Sequence, residues 1–179
     1  ILKSMHTKTG RCAILLPHGV LSRNDEKFIR EQLIKHDLLE AVIGIGKNLF
    51  YNSPMEACVM VCRSKKAQSK KGRVLFINAK DEVTRKSSQS FLEDRHINFI
   101  ADCYVKYKDI ERFSAVATTE DIISKDYSLG ISLYVNGEKG ENENSSTIEN
   151  DISDWIQSSE KLIEEYNVLN VILMEKNDG

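Results

Sequence analysis

Proline is scarce: the 179 residues hold two, Pro17 and Pro54, set far apart. Tryptophan occurs once, at Trp155. No uninterrupted apolar stretch approaches the ~20 residues that a membrane-crossing helix needs. The formal net charge is only −2, so no global field points to a nucleic acid or a lipid surface, and such contacts must come from a local patch. The four cysteines, Cys12, Cys58, Cys62 and Cys103, form neither a C-x-x-C pair nor a Cys/His cluster, and no metal site is expected. Cys58 and Cys62 stand four apart in an apolar run and share one face of a strand, as small buried hydrophobes do. With no secretory leader in view, these absences predict a reduced, cytoplasmic protein without a membrane span.

What remains is an ordinary folding composition, 41% apolar and 29% charged, with length enough to bury a core. The opening segment ILKSMHTKTGR reads as the last turns of an amphipathic helix (Ile1, Leu2, Met5) stopped by Gly10, which suggests a chain cut from something longer.

The stretch GIGKNLFYNSP, Gly44 to Pro54, invites a phosphate-loop reading. A Walker loop requires G-x-x-x-x-G-K-[ST], but the first glycine falls on Ala41 and Asn48 follows Lys47. A dinucleotide loop needs a third glycine and a helix directly after the turn. Pro54 and the apolar run ACVMV come too soon for either, so the loop has another purpose.

Around it the elements follow from pattern. RCAILLP is a continuous apolar run, as in a strand covered on both faces. Asn24 or Asp25 caps a helix to about His36, carried by Phe28, Ile29, Leu33 and Ile34. LLEAVIGI is a second strand, and strand–helix–strand implies a parallel crossover. EACVMVC follows too closely for another crossover, so it returns antiparallel. After the basic loop RSKKAQSKKGR comes a fourth strand, Val74 to Asn78. SFLEDRHINFIADCYVKYKDI has helical period, SAVATTEDI reads as a strand leading into a helix capped at Thr118 or Thr119, and DYSLGISLYV as extended. The domain so defined covers residues 1–136.

Residues 137–147 lack apolar periodicity and read as a linker. Over 148–176 the positions Ile148, Ile152, Trp155, Ser159, Leu162, Tyr166, Leu169 and Leu173 alternate by four and three, the heptad seam of a helix that packs along another.

The linked segments GRCAILLPHGVL, FIREQLIKHDLLEAVIGIGKNLFYNSPMEACVMV, GRVLFINAKDE and DYSLGISLYV resemble the methyltransferase subunit of type I restriction–modification systems over residues 10–135. The resemblance implies an α/β fold, the C-terminal half of a class I S-adenosylmethionine-dependent methyltransferase sheet with its antiparallel final hairpin, followed by a C-terminal amphipathic helix. It implies methyl transfer to adenine N6 in DNA. It also implies a complex with a specificity subunit and a restriction subunit, with Ile152, Trp155, Leu162, Tyr166 and Leu169 on the partner helix.

In that family the loop after the second strand carries an aromatic that holds the target adenine outside the duplex, here Phe50 with Tyr51 beside it. An enzyme acting on a base must extrude it, and an aromatic face offsets part of the unstacking cost. Phe50 as a plug at the end of the core explains the same residue. Pro17 and His18 follow the first strand, where open α/β sheets bind ligands, so His18 either lines a pocket or is a structural loop histidine. Lys65, Lys66, Lys70 and Lys71 read equally as DNA-backbone contacts or as a solvated loop.

Two signatures of the resembling family are absent from these residues: the glycine-rich cofactor turn and (Asn/Asp)-Pro-Pro-(Phe/Tyr). The fragment is therefore expected to neither bind S-adenosylmethionine nor methylate DNA alone. A non-enzymatic scaffold that assembles partners through the C-terminal helix accounts for the same pattern without chemistry. A methyltransferase of the same fold acting on RNA or protein is a further alternative.

Overall fold

The computed structural model describes residues 2–50, 53–87 and 89–135. Two compact units divide the chain, 1–137 and 138–179, and the described residues belong to the first. The linker and the heptad-patterned helix, with Ile152, Trp155, Leu162, Tyr166 and Leu169, lie outside the described residues, as does Tyr51.

Five strands form one sheet: β1 (Arg11–Pro17), β2 (Leu39–Ile45), β3 (Ala57–Arg63), β4 (Arg73–Ala79) and β7 (Ser114–Thr118), in the order β1-β3-β2-β4-β7. β3 runs antiparallel to both β1 and β2, β4 is parallel to β2, and β7 is antiparallel to β4. Helix α1 (Lys27–Lys35) carries the chain from β1 to β2, which point the same way but are separated by β3. The crossover is parallel as expected, and β3 fills the gap it leaves. The hairpin of β2 and β3 is thus interior, because β4 and β7 extend the sheet beyond it.

Apolar side chains cover both faces. On one, Leu33 and Ile34 of α1 pack with Val42, Cys58, Met60, Phe76 and Ile122, the last from α3 (Thr119–Ser124). On the other, α2 (Asp94–Lys106) sets Ile100, Cys103 and Tyr104 against Ala41, Leu75 and Ile77. β2 and β4 are apolar on both faces over residues 41–45 and 74–77 because both of their faces are covered. Burial pushes the Cys58 thiol up to about 11 and that of Cys62 up to about 12, so both remain protonated hydrophobes.

Four expectations are corrected. β1 is not covered on both faces: among the described residues it pairs only with β3, and Arg11, Ala13, Leu15 and Pro17 are exposed. The opening segment forms a single 3-10 turn, Leu2–Ser4, whose Leu2 packs on the core with Met5. Phe91 and Leu92 precede the helix, because β5 (Thr84–Lys86) and β6 (Gln89–Phe91) pair as a small hairpin and Glu93 caps α2. The last segment is not extended but closes in α4 (Ser132–Val135), where Tyr134 stacks on Phe76 with ring centroids 4.0 Å apart.

Candidate functional site

The register places four residues in one row. Pro17 pairs with Ala57, and Ile45 pairs with both Ala57 and Ala79. The next residues outward, His18, Glu56, Gly46 and Lys80, therefore cross the carboxyl edge of the sheet in register. This is the edge where open α/β sheets bind ligands.

Both glycines of the Gly-x-Gly-Lys stretch are used for close approach. A Cβ on Gly46 would collide with the Lys80 carbonyl, and one on Gly44 would lie 2.6 Å from Ile131 Cδ1. On the side where a Cβ would stand, both glycines face protein atoms rather than open space. The pair does not fit an S-adenosylmethionine cradle, and among the described residues no group of three or more His, Cys, Asp or Glu could hold a metal ion.

The loop between β2 and β3 rises from this row. Phe50 and Ser53 form an isolated bridge, with the Ser53 N–H donating to the Phe50 carbonyl at 3.1 Å. Phe50 is 38% exposed and so does not plug the core. Its side lines a cleft of about 180 Å³ with Leu15, Pro17, Ser53, Met55 and Glu56. The walls are mostly apolar and Glu56 brings a carboxylate, the mixed lining usual in small-ligand clefts.

Glu56 is held by two lysines. Lys80 Nζ lies 2.8 Å from Oε2, and Lys47 Nζ lies 3.7 Å from Oε1. Burial raises the carboxyl's affinity for its proton, but the Lys80 hydrogen bond and charge, with His18 and Lys47, outweigh it and leave the carboxyl below its ordinary value. His18 donates its backbone N–H to the Glu56 carbonyl at 3.1 Å, while its Nε2 is buried without a hydrogen-bond partner. Burial, and then the Lys80 charge, push its imidazole below the ordinary value, so it is neutral at pH 7.

Phe50 and Pro17, singled out in the sequence, line the cleft with His18 beside it, together with Glu56 and its partner Lys80, which the sequence did not single out. The signal available was parity: Glu56 stands two before Cys58, and Lys80 four beyond Phe76, both on the face that carries α1.

The basic loop divides differently. Lys66 is buried, donating to Asp37 Oδ1 and to the Arg73 carbonyl at 2.8 Å. Lys70 pairs with Glu40 at 2.8 Å and sits over the Tyr107 ring, 4.4 Å from its centroid. Both serve as internal counterions, Lys66 to Asp37 and Lys70 to Glu40, which β2 brings to this end of the sheet 1% exposed. They are withdrawn from the surface where DNA phosphates would be met. Lys65 and Lys71 are exposed. The whole loop is at the opposite edge of the sheet from Phe50, roughly 20 Å away for strands of this length.

Comparisons with known proteins agree with this architecture. The N-6 DNA methylase family model matches residues 1–143. The type I restriction enzyme MjaVIII methylase subunit of Methanocaldococcus jannaschii is 36% identical over 129 residues, covering 70% of this chain and 22% of its own. The MjaVII methylase subunit of the same organism is 38% identical with the same shares. The crystal structure of the type I restriction–modification methyltransferase subunit from Streptococcus thermophilus superposes with a TM-score of 0.70 at 33% identity, over 75% of this chain and 28% of that one. The EcoKI M protein shares the fold alone, with a TM-score of 0.54 at 13% identity over 87% and 40% of the two chains. The chain spans about a fifth of the length of these curated relatives. With its family model matched over residues 1–143, the chain belongs to the N-6 DNA methylase family.

Proposed function

We propose that this chain supplies one wall of the target-base pocket in an adenine-N6 DNA methyltransferase of the type I restriction–modification kind. The observation that carries the reading is Phe50, a half-exposed aromatic at a hydrogen-bonded loop tip beside a cleft on the carboxyl edge of the sheet. A base taken out of a duplex loses its stacking, and an aromatic face returns about 1–3 kcal/mol per base. Tyr51 would share this contact.

The longer protein would transfer the methyl group from S-adenosylmethionine, bound by residues other than those described. Support comes from the protein atoms that Gly44 and Gly46 face and from the absence of a Pro-Pro motif in the sequence. Its partners would be DNA, a specificity subunit and a restriction subunit, with the helix at 148–176 as a packing element. The outer edge of β1, with Leu15 49% exposed, is suited to receive a further strand of the same longer protein.

Phe50→Ala in the longer protein tests the reading. The expected outcome is a fall in methylation of about tenfold or more, with cofactor affinity unchanged. Full activity in Phe50→Ala, with Phe50→Leu equally active, overturns it.

A further inference from the structure

The loop that bears Phe50 leaves β2 at Gly46 and returns to β3 at Glu56. A connection of eleven residues would ordinarily be mobile, and an aromatic on such a loop would have to be ordered at the moment a base arrives. Here both limbs are tied down. Glu56 stands at the base of the return limb with one oxygen on Lys80 at the end of β4, across β2, at 2.8 Å, and the other toward Lys47 of the outgoing limb, at 3.7 Å. The same residue's carbonyl takes the His18 N–H, which ties the limb to β1 as well. Higher on the loop the Asn48 carbonyl accepts the Ser90 N–H at 2.8 Å, from the β5–β6 hairpin.

We propose that Glu56 is a positioning residue: paired with Lys80 and Lys47, it holds both limbs of the loop on the carboxyl edge, so that Phe50 stands over the cleft before a base enters. This rests on the base-pocket reading of Phe50. Glu56 lies in the wall of that same cleft, so a shift of the limb changes the cleft's shape as well as the ring's place. Lys80 gives the stronger restraint. Its stem passes over Gly44, with Cε 3.9 Å from where a Cβ would be, and its side chain is 33% exposed, whereas that of Lys47 is 65% exposed. An ion pair so exposed adds little to global stability, and its consequence lies in where the loop is held.

The test uses the whole methyltransferase with its own recognition duplex, 2-aminopurine replacing the target adenine, whose emission rises when the base leaves the stack. Phe50→Ala should lose the rise. Glu56→Gln and Lys80→Met should each cut it about fivefold or more at saturating DNA, with cofactor affinity unchanged. Methionine keeps the stem over Gly44 and removes only the charge, and Lys80→Arg should retain the rise. A full rise in Glu56→Gln and Lys80→Met, beside its loss in Phe50→Ala, overturns the positioning role alone. Loss in Lys80→Arg equal to that in Lys80→Met also overturns it, since the pairing would then be irrelevant. A full rise in Phe50→Ala overturns the base-pocket reading, and this inference with it.

Discussion

Glu40 and Glu56 both sit between two cations, and their surroundings give them different tasks. Glu40 is 1% exposed, with Arg63 Nε at 2.6 Å and Lys70 Nζ at 2.8 Å, at the edge of the sheet far from the cleft. Burial raises its proton affinity, but the hydrogen bonds and charges of Lys70 and Arg63 outweigh that and leave its carboxyl below the ordinary 4.5. A depressed carboxylate stabilises the fold fully above its unfolded value and loses that contribution as pH falls through the folded one. Glu40→Gln should therefore cost about 2 kcal/mol near neutrality, with the gap to the parent closing below pH ~4.5. Urea unfolding across that range measures both. An equal gap at pH 3 and pH 7 would contradict the assignment. This role was not legible in the sequence, because Glu40 lies between Leu39 and Ala41 in an apolar strand and its cations are 23 and 30 residues away.

At the scale of elements, strands β2, β3 and β4 were readable from run length alone, and α3 from its cap. The Thr118 side chain indeed accepts the Asp121 N–H, with Asp121 reaching back. What failed was the segment from Ser90 to Leu92, where Phe91 and Leu92 continued a helical period although the chain there pairs with β5. Periodicity over two residues carries no information about a short hairpin. The place of β3 between β1 and β2 was equally hidden, since strand order depends on pairing rather than on local pattern.

The Gly-x-Gly-Lys loop shows the same limit. Its residues do not match a phosphate-loop pattern, but their close approach became clear only with Lys80 beside them. Gly46→Ala should force the loop away from the Lys80 carbonyl, cost about 1–3 kcal/mol, and lower methylation by the longer protein more than Ala13→Gly, an exposed site on β1. Unchanged stability and activity in Gly46→Ala would contradict the close-approach account. In the basic loop, Lys65→Ala with Lys71→Ala should leave folding intact. Lys66→Ala should destabilise by about 1–2 kcal/mol, because it removes the buried ammonium's bonds to Asp37 and to the Arg73 carbonyl. If the exposed pair touches phosphates, the salt slope of DNA affinity falls by up to about two. An unchanged slope would return them to solvent.

At the scale of the molecule, the described residues form a sheet whose β1 edge is unpaired among them and whose loop aromatic Phe50 lines a cleft with residues of β1. Among the described residues no helix is long and apolar enough to cross a membrane. The proposed role is that of a base-holding wall, and the sequence features that motivate it are the lack of a Pro-Pro pair and glycines outside the context of a cofactor turn. Calorimetric titration of S-adenosylmethionine into this chain, beside the same chain extended into a longer methyltransferase, tests that division of labour most directly. The account predicts heat of binding only for the extended protein. Saturable binding to this chain alone would contradict it, placing a cofactor site among residues proposed to hold the base.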